Sequence, residues 1–174
     1  IYDSKNWTLC PIGNYTSVRS LMVDESTSRI YAGGSEEFGY YHNDPDRGCF
    51  VYKSLMPTLP KRNRHFTEVW NIHKSGKYIW FQSDFNLLRF DGSKSISIPY
   101  KYKITTSALI RGRLYIASKE GGICQLNGKT FTSVPGGEHV KGMRVCALLP
   151  YQKGNILIVT EFCGVFIFDG ATVR

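Results

Sequence analysis

The sequence predicts an all-β protein, and three observations lead to that prediction. A fifteen-residue pattern of two short apolar strands, a polar turn between them and a closing turn occurs four times, at residues 30–44, 78–92, 114–128 and 156–170. The copies start 48, 36 and 42 residues apart, so the mean period is 42. No segment shows the apolar periodicity of a helix. A period of this size, built from strands alone, is typical of the blades of a β-propeller.

Each copy is the centre of a predicted blade of four antiparallel strands, so we expect a β-propeller segment of about four blades. We place the blades at residues 17–60, 66–100, 104–136 and 143–174. The predicted strands are rich in Val, Ile, Tyr, Phe and Trp, which pack well on a pleated surface. In three copies Asp-Gly or Asn-Gly follows the third strand, and these dipeptides accept the positive φ of a tight hairpin.

The strands follow in chain order from the same alternation of apolar and polar residues. We predict them at 18–23, 30–34, 38–42 and 49–54, at 69–73, 78–82, 87–90 and 95–99, at 105–110, 114–118, 123–126 and 130–134, and at 145–150, 156–160 and 165–168. The fourth blade therefore has three predicted strands.

Residues 1–16 resemble the end of a repeat, because the opening letters IYDS match the FDG endings of later copies. We expect them to supply the outer strand of a preceding blade or of the closing blade. A closed four-bladed ring and four blades of a larger propeller both remain open.

Composition narrows the classes of partner. The net charge is +8 and the isoelectric point is about 9.3, but the basic residues are scattered and cluster only at 61–65. Without a nucleic-acid motif, we expect no nucleic-acid binding by this segment. The five cysteines form no CxxC pair and the four histidines share no metal-ligand spacing, so we expect neither a metal nor another cofactor.

Catalytic motifs are absent from the sequence: it has no GxSxG, HExxH, Walker A or GxGxxG element. We therefore predict a module without enzymatic activity. Asp84, Glu120 and Glu161 could face one another as paired carboxylates, so a secreted propeller glycosidase or lyase is a less favoured alternative.

The loops at one end of the predicted blades carry the candidate ligand site. In a propeller, the turn between the second and third strands opens on the same face as the connection to the next blade. These turns carry a carboxylate in every copy, at Glu36 or Glu37, Asp84, Glu120 and Glu161, and the connections carry basic residues at Arg62, Arg64, His65, Lys101, Lys103, Lys141 and Arg144. Aromatic side chains lie in the same loops. Polar groups beside flat apolar platforms suit a sugar.

We therefore predict a ligand site and no catalytic or metal-binding residue. The predicted ligand-binding residues are Arg64, His65, Asp84, Phe85, Tyr102, Glu120, Lys141, Arg144, Glu161 and Phe162.

The repeats resemble those of the two-component regulator propeller family. The residues that carry the resemblance are Val18-Arg19-Ser20-Leu21, Asp24 and Ile30-Tyr31-Ala32-Gly33 in the first copy, Tyr78-Ile79-Trp80-Phe81 with Arg89-Phe90-Asp91-Gly92 in the second, and Gly164-Val165-Phe166-Ile167-Phe168-Asp169-Gly170 in the last. The resemblance covers nearly the whole chain. The third copy departs from the family's pattern, because it ends in Leu126-Asn127-Gly128.

This resemblance implies the periplasmic sensor portion of an inner-membrane protein, in a hybrid two-component system or a related membrane-spanning regulator of transcription. Such sensors detect breakdown products of complex glycans. The implied partners are an oligosaccharide or other small ligand, further propeller blades and an Ig-like module of the same chain, and a second copy in a homodimer. A propeller scaffold for protein–protein interaction is the alternative.

Overall fold

The structure of the protein, a computed structural model, describes residues 7–174. Its strands form four antiparallel sheets, and in each sheet the strands pair in chain order. We call these sheets blades 1 to 4. Blade 1 contains β1 Val18–Asp24, β2 Arg29–Gly34, β3 Glu37–Asp44 and β4 Cys49–Ser54, and blade 2 contains β5 Val69–Ser75, β6 Tyr78–Ser83, β7 Asn86–Phe90 and β8 Ser95–Pro99. Blade 3 contains β9 Ile104–Ile110, β10 Arg113–Ser118, β11 Gly122–Asn127 and β12 Thr130–Ser133, and blade 4 contains β13 Val145–Pro150, β14 Ile156–Thr160 and β15 Val165–Phe168.

The blades follow one another around a common set of inner strands. The first strand of each blade lies beside the first strand of the next, so that β1 contacts β5, β5 contacts β9 and β9 contacts β13. The prediction of an all-β propeller segment of four blades is therefore confirmed.

Blade 4 contains three strands, and the end of the chain begins a fourth. The backbone N–H of Ile167 donates to the carbonyl of Arg174 at 2.7 Å, and the N–H of Arg174 donates to the carbonyl of Ile167 at 3.0 Å. The final residues therefore take the place beside β15 that the fourth strand takes in the other blades.

Short 3₁₀ helices lie in the loops of the described residues. Met56–Thr58 and Lys61–Asn63 lie between blades 1 and 2, Gly137–Val140 lies between blades 3 and 4, and Gln152–Gly154 lies in the turn between β13 and β14. Over residues 7–174, no helix has the length and apolar character needed to cross a membrane.

The segment before β1 lies against blade 1. Of the residues predicted to form an outer strand, 1–6 lie outside the described residues. Beyond them, the hydroxyl of Tyr41 donates to the carbonyl of Cys10 at 2.9 Å, and the side-chain amide of Asn14 donates to the carbonyl of Ser35 at 2.7 Å. Ile12, which lies between Cys10 and Asn14 in the chain, is buried.

The hydrophobic core consists of one cluster at each contact between neighbouring blades. Blades 1 and 2 share an aromatic cluster around Phe38 and Phe81. Blades 2 and 3 share a cluster that includes Trp80 and Ile116, and blades 3 and 4 share a mainly aliphatic cluster that includes Ile158 and Tyr115. Because each blade buries its faces only against its neighbours, stability is distributed over these three contacts.

The structure changes the alignment of the second repeat by one residue. Strands β2, β6 and β10 begin at Arg29, Tyr78 and Arg113, so Tyr78 is not the equivalent of Ile30 as the sequence pattern suggested. The corrected alignment makes Tyr31, Trp80 and Tyr115 equivalent, and each of them is buried against the following blade. The shared aromatic position thus packs one blade onto the next.

Candidate functional site

A cavity of about 600 Å³ lies at one end of the inner strands of blades 2, 3 and 4. Side chains of both charges and one indole ring line it. The lining residues are Trp70, Asn71, Asp84, Lys103, Ile104, Thr105, Thr106, Lys119, Glu120, Arg144, Cys146 and Glu161. A polar, concave surface of this volume is in the size range of small-molecule sites.

Backbone hydrogen bonds bring the loops of this cavity together. The N–H of Ile104 donates to the carbonyl of Asp84 at 2.6 Å, which joins the connection after blade 2 to the turn between β6 and β7. The N–H of Gly142 donates to the carbonyl of Lys119 at 2.7 Å, which makes the same junction one blade later. The two kinds of loop therefore open on one face, as expected from the sequence.

Asp84 is buried at the edge of the cavity and accepts hydrogen bonds on both carboxylate oxygens. The indole N–H of Trp70 donates to Oδ1 at 2.9 Å, and the hydroxyl of Thr67 donates to Oδ2 at 2.9 Å. The ammonium of Lys103 lies 3.5 Å from Oδ2. Since a buried carboxylate needs such partners, Asp84 fixes the position of the indole ring.

Trp70 presents a flat apolar surface to the cavity. Its side chain is 42% exposed, although β5 is an inner strand. The guanidinium carbon of Arg19 lies 5.8 Å from the ring centroid, and Nε of Arg19 pairs with Oε2 of Glu68 at 3.1 Å. The ring is thus held in place and remains accessible, which is the arrangement of a stacking platform.

The opposite wall of the cavity carries one ion pair and two further charges. Nη1 of Arg144 lies 3.0 Å from Oε1 of Glu161. Lys119 and Glu120 follow β10 in an exposed turn, and neither forms an ion pair within residues 7–174. An ammonium and a carboxylate are therefore available to a ligand in the cavity.

A network of polar side chains that includes the buried Gln82 and Ser107 extends from the cavity between blades 2 and 3. Oε1 of the fully buried Gln82 accepts from the side-chain amide of Asn71 at 2.7 Å and from the hydroxyl of Ser107 at 3.2 Å. Nε2 of His73 is hydrogen-bonded to the same hydroxyl at 2.9 Å. Burial lowers the pKa of His73, which favours the neutral imidazole. These hydrogen bonds therefore hold the polar side chains on this side of the cavity in fixed positions.

The cavity brings together four of the ten predicted ligand-binding residues. Asp84, Glu120, Arg144 and Glu161 all contribute to its lining. No ligand is present, so their role in binding stays a prediction.

Two groups of predicted residues lie elsewhere. Arg64 donates from Nε to the carbonyl of Leu59 at 2.8 Å and thereby braces its own loop. His65 and Phe85 line a separate depression of about 320 Å³ beside the contact between blades 1 and 2.

The remaining three predicted residues are on the surface outside the cavity lining. The ring of Tyr102 makes an edge contact with Tyr100 at 5.8 Å between centroids. Lys141 is exposed, and Phe162 is 90% exposed at the tip of its turn.

The carboxylate expected in the corresponding turn of blade 1 does not reach the cavity. Glu36 contributes to the separate depression, and Glu37 turns into the sheet, where Oε1 accepts from the hydroxyls of Ser54 at 2.8 Å and Tyr52 at 3.2 Å. Burial raises the pKa of Glu37. The expected ring of acids therefore covers three blades, because the acid of blade 1 serves as an internal hydrogen-bond acceptor.

Sequence reasoning missed Trp70 and Lys119 as candidate residues. Trp70 lies in a predicted strand, where aromatic residues are typical of packing, and Lys119 immediately precedes Glu120 in its turn. A usable signal was present: Asn71 and Thr106 are polar residues within inner strands, which indicates that these strands border a cavity.

Comparison with known proteins supports the fold. No family model matches the chain, and no curated protein matches it by sequence. Solved structures do match it. One is the extracellular domain assigned to a one-component system of B. thetaiotaomicron, with a TM-score of 0.65 and 14% identity over 87% of this chain and 21% of that chain. Another is the extracellular domain assigned to a hybrid two-component system of the same bacterium, with a TM-score of 0.63 and 14% identity over 88% and 20%.

A third match is streptogramin B lyase, with a TM-score of 0.64 and 12% identity over 92% of this chain and 54% of that chain. The chain thus spans about a fifth of the length of the two extracellular domains and about half of the lyase. At these identities the likeness establishes the propeller fold.

Proposed function

We propose that this chain is a ligand-sensing β-propeller module of a bacterial transmembrane signalling regulator, and that its cavity binds an oligosaccharide in the periplasm. The observation that carries this proposal is the half-exposed indole of Trp70, held by the buried carboxylate of Asp84 at the edge of a polar cavity.

A sugar matches this cavity in two respects. Its apolar ring face can stack on the indole of Trp70, and its hydroxyls can bond to the charged groups of Lys119 and Glu120.

The sensor role draws on two supports. The repeats resemble those of two-component regulator propellers, and the fold is similar to extracellular domains assigned to one-component and hybrid two-component systems. In this role, the ligand would alter the packing of blades 2, 3 and 4 around the cavity, and other parts of the regulator would carry the signal to transcription.

Isothermal titration calorimetry of the purified chain against neutral, acidic and amino-sugar oligosaccharides tests the proposal. We expect one class to bind, and Trp70→Ala to weaken that binding at least about tenfold, which corresponds to about 1.4 kcal/mol. Tyr151→Ala is the matched control, because Tyr151 is 40% exposed at the other end of blade 4. Absence of binding by every class, or equal binding by Trp70→Ala, would contradict the site and favour a protein-binding scaffold.

A propeller lyase or glycosidase is the second candidate, favoured by the three carboxylates in the cavity and by the fold shared with streptogramin B lyase. It predicts conversion of one oligosaccharide in the panel, and loss of that conversion in Glu120→Gln with the protein still folded. Binding without any product would favour the sensor over the enzyme.

A further inference from the structure

A second cavity lies between blades 3 and 4, at the opposite end of these blades from the first cavity. Its volume is about 340 Å³, and it is lined by the hairpin of β9 and β10, the turn before β14 and the end of β15. Arg111, Arg113 and Lys153 belong to the lining, and all three are exposed. Three cationic side chains therefore surround one concave surface at an internal contact between blades.

The charge of these three cations is not compensated. None of them forms an ion pair within residues 7–174. The acidic residue of the lining, Asp169, is already engaged by its own turn: Oδ1 accepts from the backbone N–H of Ala171 at 3.0 Å and of Thr172 at 2.9 Å, and Oδ2 lies 3.6 Å from Nη2 of Arg174. The cavity therefore has an excess of positive charge.

Two of the cations lie in turns whose backbone favours glycine. The angle φ is +52° at Arg111 and +55° at Lys153. Strand pairing makes Arg111 equivalent to Gly76 of blade 2, where φ is +57°, because each is the first residue of the turn between the first two strands. Side chains are disfavoured in this left-handed region, and such strain is common at ligand sites. Blade 3 thus has an arginine where blade 2 has the unstrained residue.

The guanidinium of Arg111 reaches across to the backbone of blade 4. A Cβ on Gly154 would lie 2.1 Å from Cζ of Arg111, so this approach requires glycine. Lys153 is the residue before Gly154, and the contact therefore brings positive groups of two blades to one cavity. Like charges repel. The arrangement accordingly indicates a negatively charged group as the missing partner.

Tyr115 supplies an uncharged donor in the same cavity. Its side chain is only 8% exposed, and its hydroxyl makes no hydrogen bond within residues 7–174. The hydroxyl is not fully enclosed, so it is open to the cavity. Because a tyrosine hydroxyl in such a buried side chain usually has a partner, an oxygen atom of a ligand can take that place.

We propose that this cavity binds the phosphate group of an organic phosphate through Arg111, Arg113 and Lys153, with Tyr115 donating to a phosphate oxygen. A phosphate group carries nearly two negative charges at pH 7, which suits several cations better than the single charge of a carboxylate. The planar guanidinium can also donate two parallel hydrogen bonds to its oxygens. The site is separate from the first cavity and does not depend on the function proposed for it.

Isothermal titration calorimetry of the purified chain with inorganic phosphate and with glucose 6-phosphate, at low ionic strength, tests this proposal. We expect saturable binding of both, and binding at least about tenfold weaker in Arg111→Gln and in Tyr115→Phe. Lys94→Gln is the matched control, because it removes the same charge from an exposed residue in the turn between β7 and β8. This control should bind phosphate like the wild type, and circular dichroism verifies that all variants are folded.

Two results would overturn the proposal. One is the absence of phosphate binding, and the other is equal binding by Arg111→Gln and Lys94→Gln or equal binding of sodium acetate, since the general positive charge of the surface would then be sufficient. Trp70→Ala should retain phosphate binding, so failure of the sugar site and failure of this site are separate results.

Vesicles of phosphatidylcholine and phosphatidic acid in equal parts distinguish two sources of the phosphate. Cosedimentation that is lost in Arg111→Gln would assign the phosphate to a lipid headgroup. A wild-type chain that binds glucose 6-phosphate and stays in the supernatant would assign it to a soluble ester.

Discussion

The contact between blades 1 and 2 and the contact between blades 3 and 4 are equivalent in the propeller but are held by different interactions. The first combines packed aromatic rings with polar bonds, among them the ion pair of Asp24 and Lys74. The second is a mainly aliphatic cluster that includes Ile123 and Ile158, with the rings of Tyr115 and Phe168 among its members. Among residues 7–174, no ion pair crosses the second contact.

The fold therefore requires apolar complementarity between blades and allows the polar interactions to vary from one contact to the next. Burial of Asp24 acts to raise the pKa of its carboxyl, but hydrogen bonds from Lys74, Ser26 and Thr27 outweigh that effect and lower the pKa to about 2. Of these two contacts, only the one between blades 1 and 2 therefore depends on an ion pair within residues 7–174. The two contacts should respond differently to substitution and to acid.

The largest expected effect comes from removing the aromatic centre of the first contact. Phe38 is fully buried and packs edge-on against Phe81 at 4.9 Å between ring centroids. Phe38→Ala should lower the free energy of unfolding by about 4 kcal/mol, because it removes a large buried ring and leaves a cavity. Ile123 of blade 3 is the buried equivalent of Phe38, and Ile123→Ala should lower the free energy of unfolding by about 3 kcal/mol.

Urea denaturation of both variants measures this difference. Phe162→Ala is the control, since Phe162 is 90% exposed and should change stability little. A loss below about 1 kcal/mol in Phe38→Ala would show that the aromatic cluster does not hold blades 1 and 2 together.

The second prediction concerns the ion pair of Asp24 and Lys74. Asp24→Asn should destabilise the protein by about 2 kcal/mol at pH 7, because it leaves Lys74 without its partner. The folded-state pKa of Asp24 lies below the usual 3.8, so its contribution is present above about pH 4 and is lost as the pH falls toward 2. Unfolding curves of the wild type and the variant should therefore converge in acid. Parallel pH profiles would contradict this assignment.

The third effect concerns how closely blades 1 and 2 approach. A Cβ on Gly33 would lie 2.3 Å from Cγ1 of Val69. Gly33→Ala should destabilise the protein by about 1–3 kcal/mol through this overlap. The equivalent residue of blade 3 is Ala117, which packs into the other contact, and Ala117→Gly should cost about 1 kcal/mol. Thermal denaturation of both variants compares the two contacts, and an unchanged melting temperature in Gly33→Ala would refute the close approach.

The smallest expected effect is a gain in stability, from replacing the buried carboxyl of Glu37. The raised pKa of Glu37, caused by burial, means that its stabilising contribution is present below its ordinary pKa of 4.5 and is lost as the pH rises through the folded value. Glu37→Gln keeps an acceptor for Ser54 and Tyr52 without the buried charge. It should therefore raise stability by up to about 1 kcal/mol at pH 7 and leave it unchanged near pH 4, as measured by urea denaturation. A variant less stable at pH 7 would show that the charge itself is needed.

The sequence predicted the fold well because the strand signal is local. Alternating apolar residues and Asp-Gly or Asn-Gly turns depend only on neighbours along the chain, and the predicted strands at 95–99 and 145–150 coincide with β8 and β13. The shift of one residue in blade 2 was missed because Tyr78 and Ile79 are both apolar. The strand bounds show that Ile79 takes the equivalent position, because it is the second residue of β6 as Ile30 is of β2.

The candidate site was predicted in part, for a physical reason. Residues at loop tips, such as Asp84 and Glu161, could be placed on one face from the order of the strands alone. The exposure of Trp70 depends instead on a break in register between Val69 and Asn71, which leaves Trp70 outside the pairing with β6 and which sequence alternation does not determine. Glu37 turns into the sheet because the hydroxyl of Ser54, which is distant in sequence, lies close enough to donate a hydrogen bond to its carboxylate.

The fluorescence of Trp70 during titration with an oligosaccharide tests the claim that the cavity binds a sugar against this ring. The claim predicts a saturable change in emission that disappears in Trp70→Phe and persists in Trp7→Phe. The same change in Trp70→Phe, or no change with any oligosaccharide of the panel, would contradict it.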